Sequence, residues 1–117
     1  MKLEVGMYVR TKYGITQYKG YNTINGKLFC MPVKDGTRGI FANIEDIIGE
    51  PSFNIIDLIE ENDYIRIVTS GYFEPVYYSY GKLVIRDDID INKYTNKFIA
   101  EVITHEQMKS MSYKVGE

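Results

Sequence analysis

A mostly β fold made of two similar small units is what this sequence predicts, and three observations lead there. The residue classes favour strands. Eleven tyrosines and many isoleucines and valines stand against two alanines, Ala42 and Ala100. Branched and aromatic side chains suit a pleated, half-buried surface and lose χ1 freedom in helices. Glycine and asparagine punctuate the chain at short intervals, as turns between short strands require. Finally, "LEVGMYVRTKYG" and "IEENDYIRIVTSG" share a frame, with Leu3/Ile59, Glu4/Glu60, Gly6/Asn62, Tyr8/Tyr64, Val9/Ile65 and Arg10/Arg66 in register.

The elements follow in order. "MYVRT" alternates, placing Met7, Val9 and Thr11 on one side and Tyr8 and Arg10 on the other. "GITQYKGY" reads as a second strand after Gly14. Asn25-Gly26 is a two-residue hairpin signal, because both residues tolerate positive φ. "KLFCMPV" follows as the third strand, and Asp35-Gly36 marks a tight turn into a short fourth strand, "GIFA". Asn43 caps a single helical turn that Gly49-Glu50-Pro51 ends. "NIIDLIEE" fits a strand or a turn of helix equally well and forms the junction between the units.

The second unit repeats the plan. "DYIRIVT" is a strand, and "GYFEPVYYSYGKLVIR" is a hairpin that turns at Tyr80-Gly81. Gly81-Lys82-Leu83-Val84 parallels Gly26-Lys27-Leu28-Phe29, and "FIAEVI" resembles "IFANIE", with Ala42 and Ala100 in matching places. Thr104 and Gln107 form a capping box. A short helix over 105–111 follows, with Met108 and Met111 facing inward, and "SYKV" is a closing strand. Five short strands with a helical turn before the last match an SH3-like barrel. The expectation is two tandem small SH3-like barrels packed together, units 1–50 and 54–117, sharing a core because each is small for independent folding.

Composition narrows the function classes. The chain has 117 residues and a net charge of −2. Its apolar runs all fall well short of the roughly 18 residues that a membrane helix needs, and "MKLEVGMYVR" is no signal peptide. The single cysteine, Cys30, excludes an internal disulfide and reads as a buried spectator in a reducing cytoplasm. Charge is unevenly spread. Residues 1–40 carry seven bases and two acids, whereas residues 41–63 carry seven acids and no base. This basic head and acidic waist balance within one fold or meet a charged partner.

Candidate chemistry is sparse. His105 and Cys30 are the only residues of their types, which leaves no four-ligand zinc set. Asp87-Asp88-Ile89-Asp90 lacks the glycine and spacing of a calcium loop. "KDGTRG" lacks P-loop spacing and reads as a turn. No nucleophile motif occurs, so neither a catalytic site nor a cofactor is expected. Arg10, Lys12 and Lys19, with Tyr13 and Tyr18, form a candidate basic and aromatic nucleic-acid face. Tyr72, Tyr77, Tyr78 and Tyr80 crowd one stretch, as a recognition surface or as the rim of a core without tryptophan.

"LEVGMYVRTKYGI", "NIIDLIEENDYI" and "VITHEQMKSMSYKV" resemble patterns in a group of small proteins encoded by phages and prophages of Gram-positive bacteria. The likeness covers about a third of the chain, at both ends and the joint, and departs at Glu61-Asn62-Asp63, where the pattern has a glycine before the aspartate. It implies a phage origin and brings no catalytic residues. Small phage accessory proteins often inhibit host defences by binding a host protein, as anti-CRISPR proteins do. The expectation is therefore a non-enzymatic inhibitor in the bacterial cytoplasm that occludes a host protein, such as a nucleic-acid-binding nuclease. Tyr72, Tyr77 and Tyr78 would be its anchors, and Glu60, Glu61 and Asp63 its acidic rim. Two alternatives stay open: a nucleic-acid-binding accessory domain using Arg10, Lys12 and Lys19, and a small-molecule sequestering protein with a pocket between the units.

Overall fold

A computed structural model describes residues 2–33 and 38–109. The first half is one antiparallel five-stranded sheet. Its strands are β1 (Tyr8–Thr11), β2 (Gly14–Asn22), β3 (Lys27–Pro32), β4 (Ile40–Ala42) and β5 (Ile47–Ser52), in the order β4-β3-β2-β1-β5. Thr11 closes the tight β1–β2 turn. Its Oγ1 donates to the Gly14 carbonyl at 3.0 Å and accepts from the Tyr13 N–H at 3.0 Å. Gly14 sits at φ +110°, where a Cβ would be strained. The β2–β3 connection differs from the expected two-residue turn. Asn22 pairs with Lys27, so the loop holds four residues, and Asn22 Oδ1 accepts from the Ile24 N–H at 2.8 Å. Only Gly26 of that loop has positive φ, whereas a two-residue loop would need Asn25 there too. The turn predicted after Asn43 is a single 3-10 turn, Ile44–Asp46. It ends at Ile47 rather than at Gly49-Glu50-Pro51, which lies inside β5.

The second half holds β6 (Tyr64–Ile67), β7 (Glu74–Pro75), β8 (Tyr77–Ser79), β9 (Lys82–Ile85), β10 (Ile89–Asp90) and β11 (Ile99–Ile103). They form two three-stranded sheets, β10-β9-β8 and β11-β6-β7. Only Val76 separates β7 from β8, so the two are one kinked strand. Read through that kink, the order repeats the first half: third strand, second, first, fifth, with the fourth on the outside. Other features align as well. Tyr8 and Tyr64 open the two first strands, and Gly26 (φ +69°) and Gly81 (φ +78°) end the corresponding hairpin turns. The second strands bend at matched points, by an extra residue at Lys19 and at Val76. A 3-10 turn, Asn96–Phe98, precedes β11 as Ile44–Asp46 precedes β5. The third sequence match fails: Ala42 ends β4, while Ala100 lies in β11, which corresponds to β5.

No closed barrel forms among the described residues. Among the described residues no ladder joins β4 to β5 or β10 to β11, so the chain is mostly β with several small open sheets. The main core lies in the second half and the junction. Ile55, Ile56, Leu58, Ile59, Ile65, Ile67, Val76, Ile85, Ile91, Ile99 and Val102 make one cluster, and Ile15 of β2 inserts into it. The first half keeps a small cluster of its own, Val9, Tyr18, Leu28 and Cys30. "NIIDLIEE" resolves as a 3-10 turn, Ile55–Leu58, that buries three of its four residues. Burying each such aliphatic side chain stabilises by about 1.5–3 kcal/mol. Asn96 fastens the junction to the second half, accepting from the Ile55 N–H and donating to the Phe53 carbonyl, both at 2.7 Å.

A helix spans 105–109 behind the predicted capping box. Gln107 Oε1 accepts from the Thr104 N–H at 2.9 Å, and the Gln107 N–H donates to Thr104 Oγ1 at 3.3 Å. Met108 is exposed rather than inward, because the face toward the junction is taken by polar side chains. Met111 and the expected closing strand lie outside the described residues, as does Asp35-Gly36. Thr104→Ala should lower stability by about 1 kcal/mol by removing an N-cap acceptor. Urea denaturation checks this: an unshifted midpoint would show that the helix does not depend on the box.

Candidate functional site

β1 is buried through its last three residues, Val9, Arg10 and Thr11. Simple alternation therefore does not describe it, because its polar side faces the junction and not water. Arg10 is 1% exposed, which corrects its placement on a nucleic-acid face. Its Nη1 donates to Asp63 Oδ2 at 2.6 Å and to the Leu58 carbonyl at 2.9 Å, and its Nη2 donates to Asp63 Oδ1 at 2.8 Å. Its Nε donates to Glu106 Oε1 at 3.0 Å and lies 3.5 Å from Glu60 Oε2. Burial works against the guanidinium charge, but Asp63, Glu106 and Glu60 outweigh it and hold the Arg10 pKa above its ordinary value.

Asp63 is fully buried, which removes it from the expected acidic rim. Besides the bidentate pair it accepts from the Glu60 N–H at 2.7 Å and from the His105 N–H at 3.0 Å. Every lone-pair direction of this carboxylate is occupied, so a buried charge is tolerated. Asp63 holds three things at once: the first strand, its own turn, and the start of the C-terminal helix. His105 Nε2 lies 2.9 Å from Glu60 Oε1 and 3.0 Å from Glu106 Oε2.

The tyrosine hairpin lies beside this junction. The Asn62 N–H donates to the Val76 carbonyl at 2.9 Å, and the Val76 N–H donates to the Asp63 carbonyl at 2.8 Å. The acidic turn therefore pairs edge-on with the strand that leads into Tyr77. Tyr72, Tyr77 and Tyr78 are exposed, as a recognition surface requires, and so are Glu60 and Glu61. Tyr77 and Tyr78 project to opposite faces by strand alternation, so they flank the hairpin rather than tile one plane. The Tyr77 hydroxyl lies 3.2 Å from Asp88 Oδ1, and desolvation followed by that carboxylate pushes its pKa up, keeping it a donor.

Tyr80 stands at the tip of the hairpin. It occupies the first position of a two-residue turn at φ +51°, with Gly81 at +78° and Ser79 paired to Lys82. This is the backbone that Asn-Gly normally supplies. A non-glycine residue there costs about 1–2 kcal/mol, and Tyr80 is 99% exposed, so no contact within the chain offsets it. The sequence signal was the Tyr-Gly pair at a predicted turn.

The other candidates are dispersed. Lys12 is exposed, 3.4 Å from Asp46 and 5.1 Å from the Tyr13 ring centre. Lys19 is exposed at the β2 bulge. Tyr18 is in the core. Cys30 is fully buried, and burial pushes its thiol pKa up. Asp90 caps the next turn, accepting from the Asn92 N–H at 2.9 Å, while Asp87 and Asp88 take positive φ in a 3-10 turn. A cavity of about 450 Å³ lies between the halves, lined in part by Tyr8, Gln17, Lys19, Asn96 and Lys97. No helix among the described residues is long and apolar enough to cross a membrane. No family model, curated protein or solved structure matches the chain.

Asp63→Asn should destabilise the fold by roughly 3–5 kcal/mol, because it strands a buried guanidinium. Arg66→Ala, at the matched position of the second half, should cost under about 1 kcal/mol, since its pair with Glu101 at 3.5 Å is partly exposed. Equal losses for the two variants in chemical denaturation would refute the central role of the Arg10 pair.

Proposed function

We propose that this chain is a non-enzymatic binding protein that docks on a host protein through its tyrosine hairpin. The observation that carries the reading is Tyr80. A large aromatic held at full exposure on a strained turn destabilises the free protein, and strained residues of this kind concentrate where a partner is engaged. The hairpin and its neighbours also expose Tyr72, Tyr77 and Tyr78, the acids Glu60, Glu61, Asp87 and Asp88, and the bases Lys82 and Arg86. Exposed aromatic anchors with more acids than bases beside them suit a basic surface, such as the nucleic-acid channel of a nuclease. With the resemblance to small phage and prophage proteins, this favours an accessory protein that blocks a host defence, of the anti-CRISPR kind, in the bacterial cytoplasm. The matching strand orders of the two halves support a tandem SH3-like ancestry for the scaffold.

The nucleic-acid reading loses its main residue, since Arg10 is spent inside the fold. The small-molecule reading keeps one observation in its favour. The cavity between the halves has a size that suits a small ligand, and among the described residues the charged ones lining it are Lys19 and Lys97. An anionic compound fits that lining.

The decisive variant is Tyr80→Asn. Asparagine tolerates the turn, so the free protein should gain up to about 1 kcal/mol. Binding to the protein that co-purifies from the bacterial host should weaken about thirtyfold, the equivalent of roughly 2 kcal/mol. Glu61→Lys should instead slow association, and the effect should vanish at high salt. Surface-immobilised kinetics separate the two. A Tyr80→Asn protein that is more stable and still binds like wild type would refute the hairpin as the docking face. A bound anion in place of any protein would favour the cavity.

A further inference from the structure

We propose a divalent transition-metal site formed by Glu60, His105 and Glu106, with Zn²⁺ as the best fit. The three donor atoms, Glu60 Oε1, His105 Nε2 and Glu106 Oε2, lie within 4.8 Å of one another. The two oxygens approach the same nitrogen at 2.9 and 3.0 Å. Tetrahedral bonds of about 2.1 Å put donor atoms about 3.4 Å apart, so the two carboxylates need to draw back from the nitrogen by about 0.5 Å to admit Zn²⁺. A single Nε2 proton can point well at one acceptor; a cation between the three atoms serves both carboxylates.

The surroundings are arranged for that role. Each carboxylate turns its other oxygen to Arg10: Glu106 Oε1 lies 2.8 Å from Nη2, and Glu60 Oε2 lies 3.5 Å from Nε. Such outer contacts fix the orientation of metal-ligating groups. The charge of Arg10 opposes a nearby cation, but Asp63 already neutralises it in a bidentate pair. Glu60 and Glu106 then bring two negative charges to one imidazole, and a divalent ion balances them. One nitrogen and two oxygens suit Zn²⁺ ahead of Mg²⁺ or Mn²⁺. The half-exposed rim, with Glu60 50% and His105 41% exposed, leaves room for water in the remaining positions.

The ligands come from different elements. Glu60 follows the junction turn, while His105 and Glu106 open the helix at 105–109. Metal binding would therefore staple the C-terminal helix to the junction, and its stability effect is readable without any activity.

The test uses the full chain, free of any histidine tag, stripped with a chelator and desalted. Calorimetric titration with ZnCl₂ should show one equivalent binding, and the melting temperature should rise with Zn²⁺ more than with Mg²⁺. His105→Gln and Glu60→Gln, each checked for folding by circular dichroism, should weaken binding about tenfold or more. Asp87→Asn, in the separate acidic loop, should bind like wild type. If wild type shows no saturable binding up to about 1 mM ZnCl₂, where a site of useful affinity would stabilise measurably, the proposal is overturned. It is equally overturned if His105→Gln binds as tightly as wild type.

Discussion

The buried pair between Arg10 and Asp63 is the constraint from which the arrangement of this protein follows. A guanidinium and a carboxylate removed from water are costly, and they persist only when every donor and acceptor is met. Here the requirement is met by parts far apart in the chain: the Leu58 carbonyl, the Glu60 and His105 N–H groups, and Glu106. Satisfying one pair fixes the first strand, the junction turn and the C-terminal helix against one another. The apolar junction, Ile55 to Ile59, packs beneath this network and carries the core from one half to the other.

The two halves share a strand order but differ in use. Arg66, the counterpart of Arg10, stays near the surface with Glu101 and over the Phe73 ring at 5.9 Å. The first half turns its matched hairpin with four residues and the second with two. The shorter turn forces its first residue to positive φ, and that residue is a tyrosine. A repeated strand order thus carries one structural centre and one exposed tip, placed side by side by the hydrogen bonds of Val76 with Asn62 and Asp63.

Local features were legible in the sequence. The strands, the Thr104 box and the Tyr80-Gly81 turn depend on neighbouring residues, and their signals lie within a few positions. Two of the three internal matches fall on equivalent elements. The third, Ala42 with Ala100, fails because a short apolar run carries no mark of which strand it belongs to. Arg10 was misplaced for a different reason. Alternation predicts a strand's two faces but not that both are covered, and its partners lie 48 to 96 residues away. The carboxylate–histidine cluster escaped notice for the same reason, since Glu60 and His105 are 45 residues apart.

The distances along the chain also bear on how the protein is made. As the polypeptide leaves the ribosome, the strand bearing Arg10 emerges well before Asp63 and long before Glu106. The four-residue apolar cluster of the first half is too small to shelter a guanidinium that has no counter-charge. Despite its repeated plan, the chain meets the buried counter-charge of its first strand only once the junction has been made.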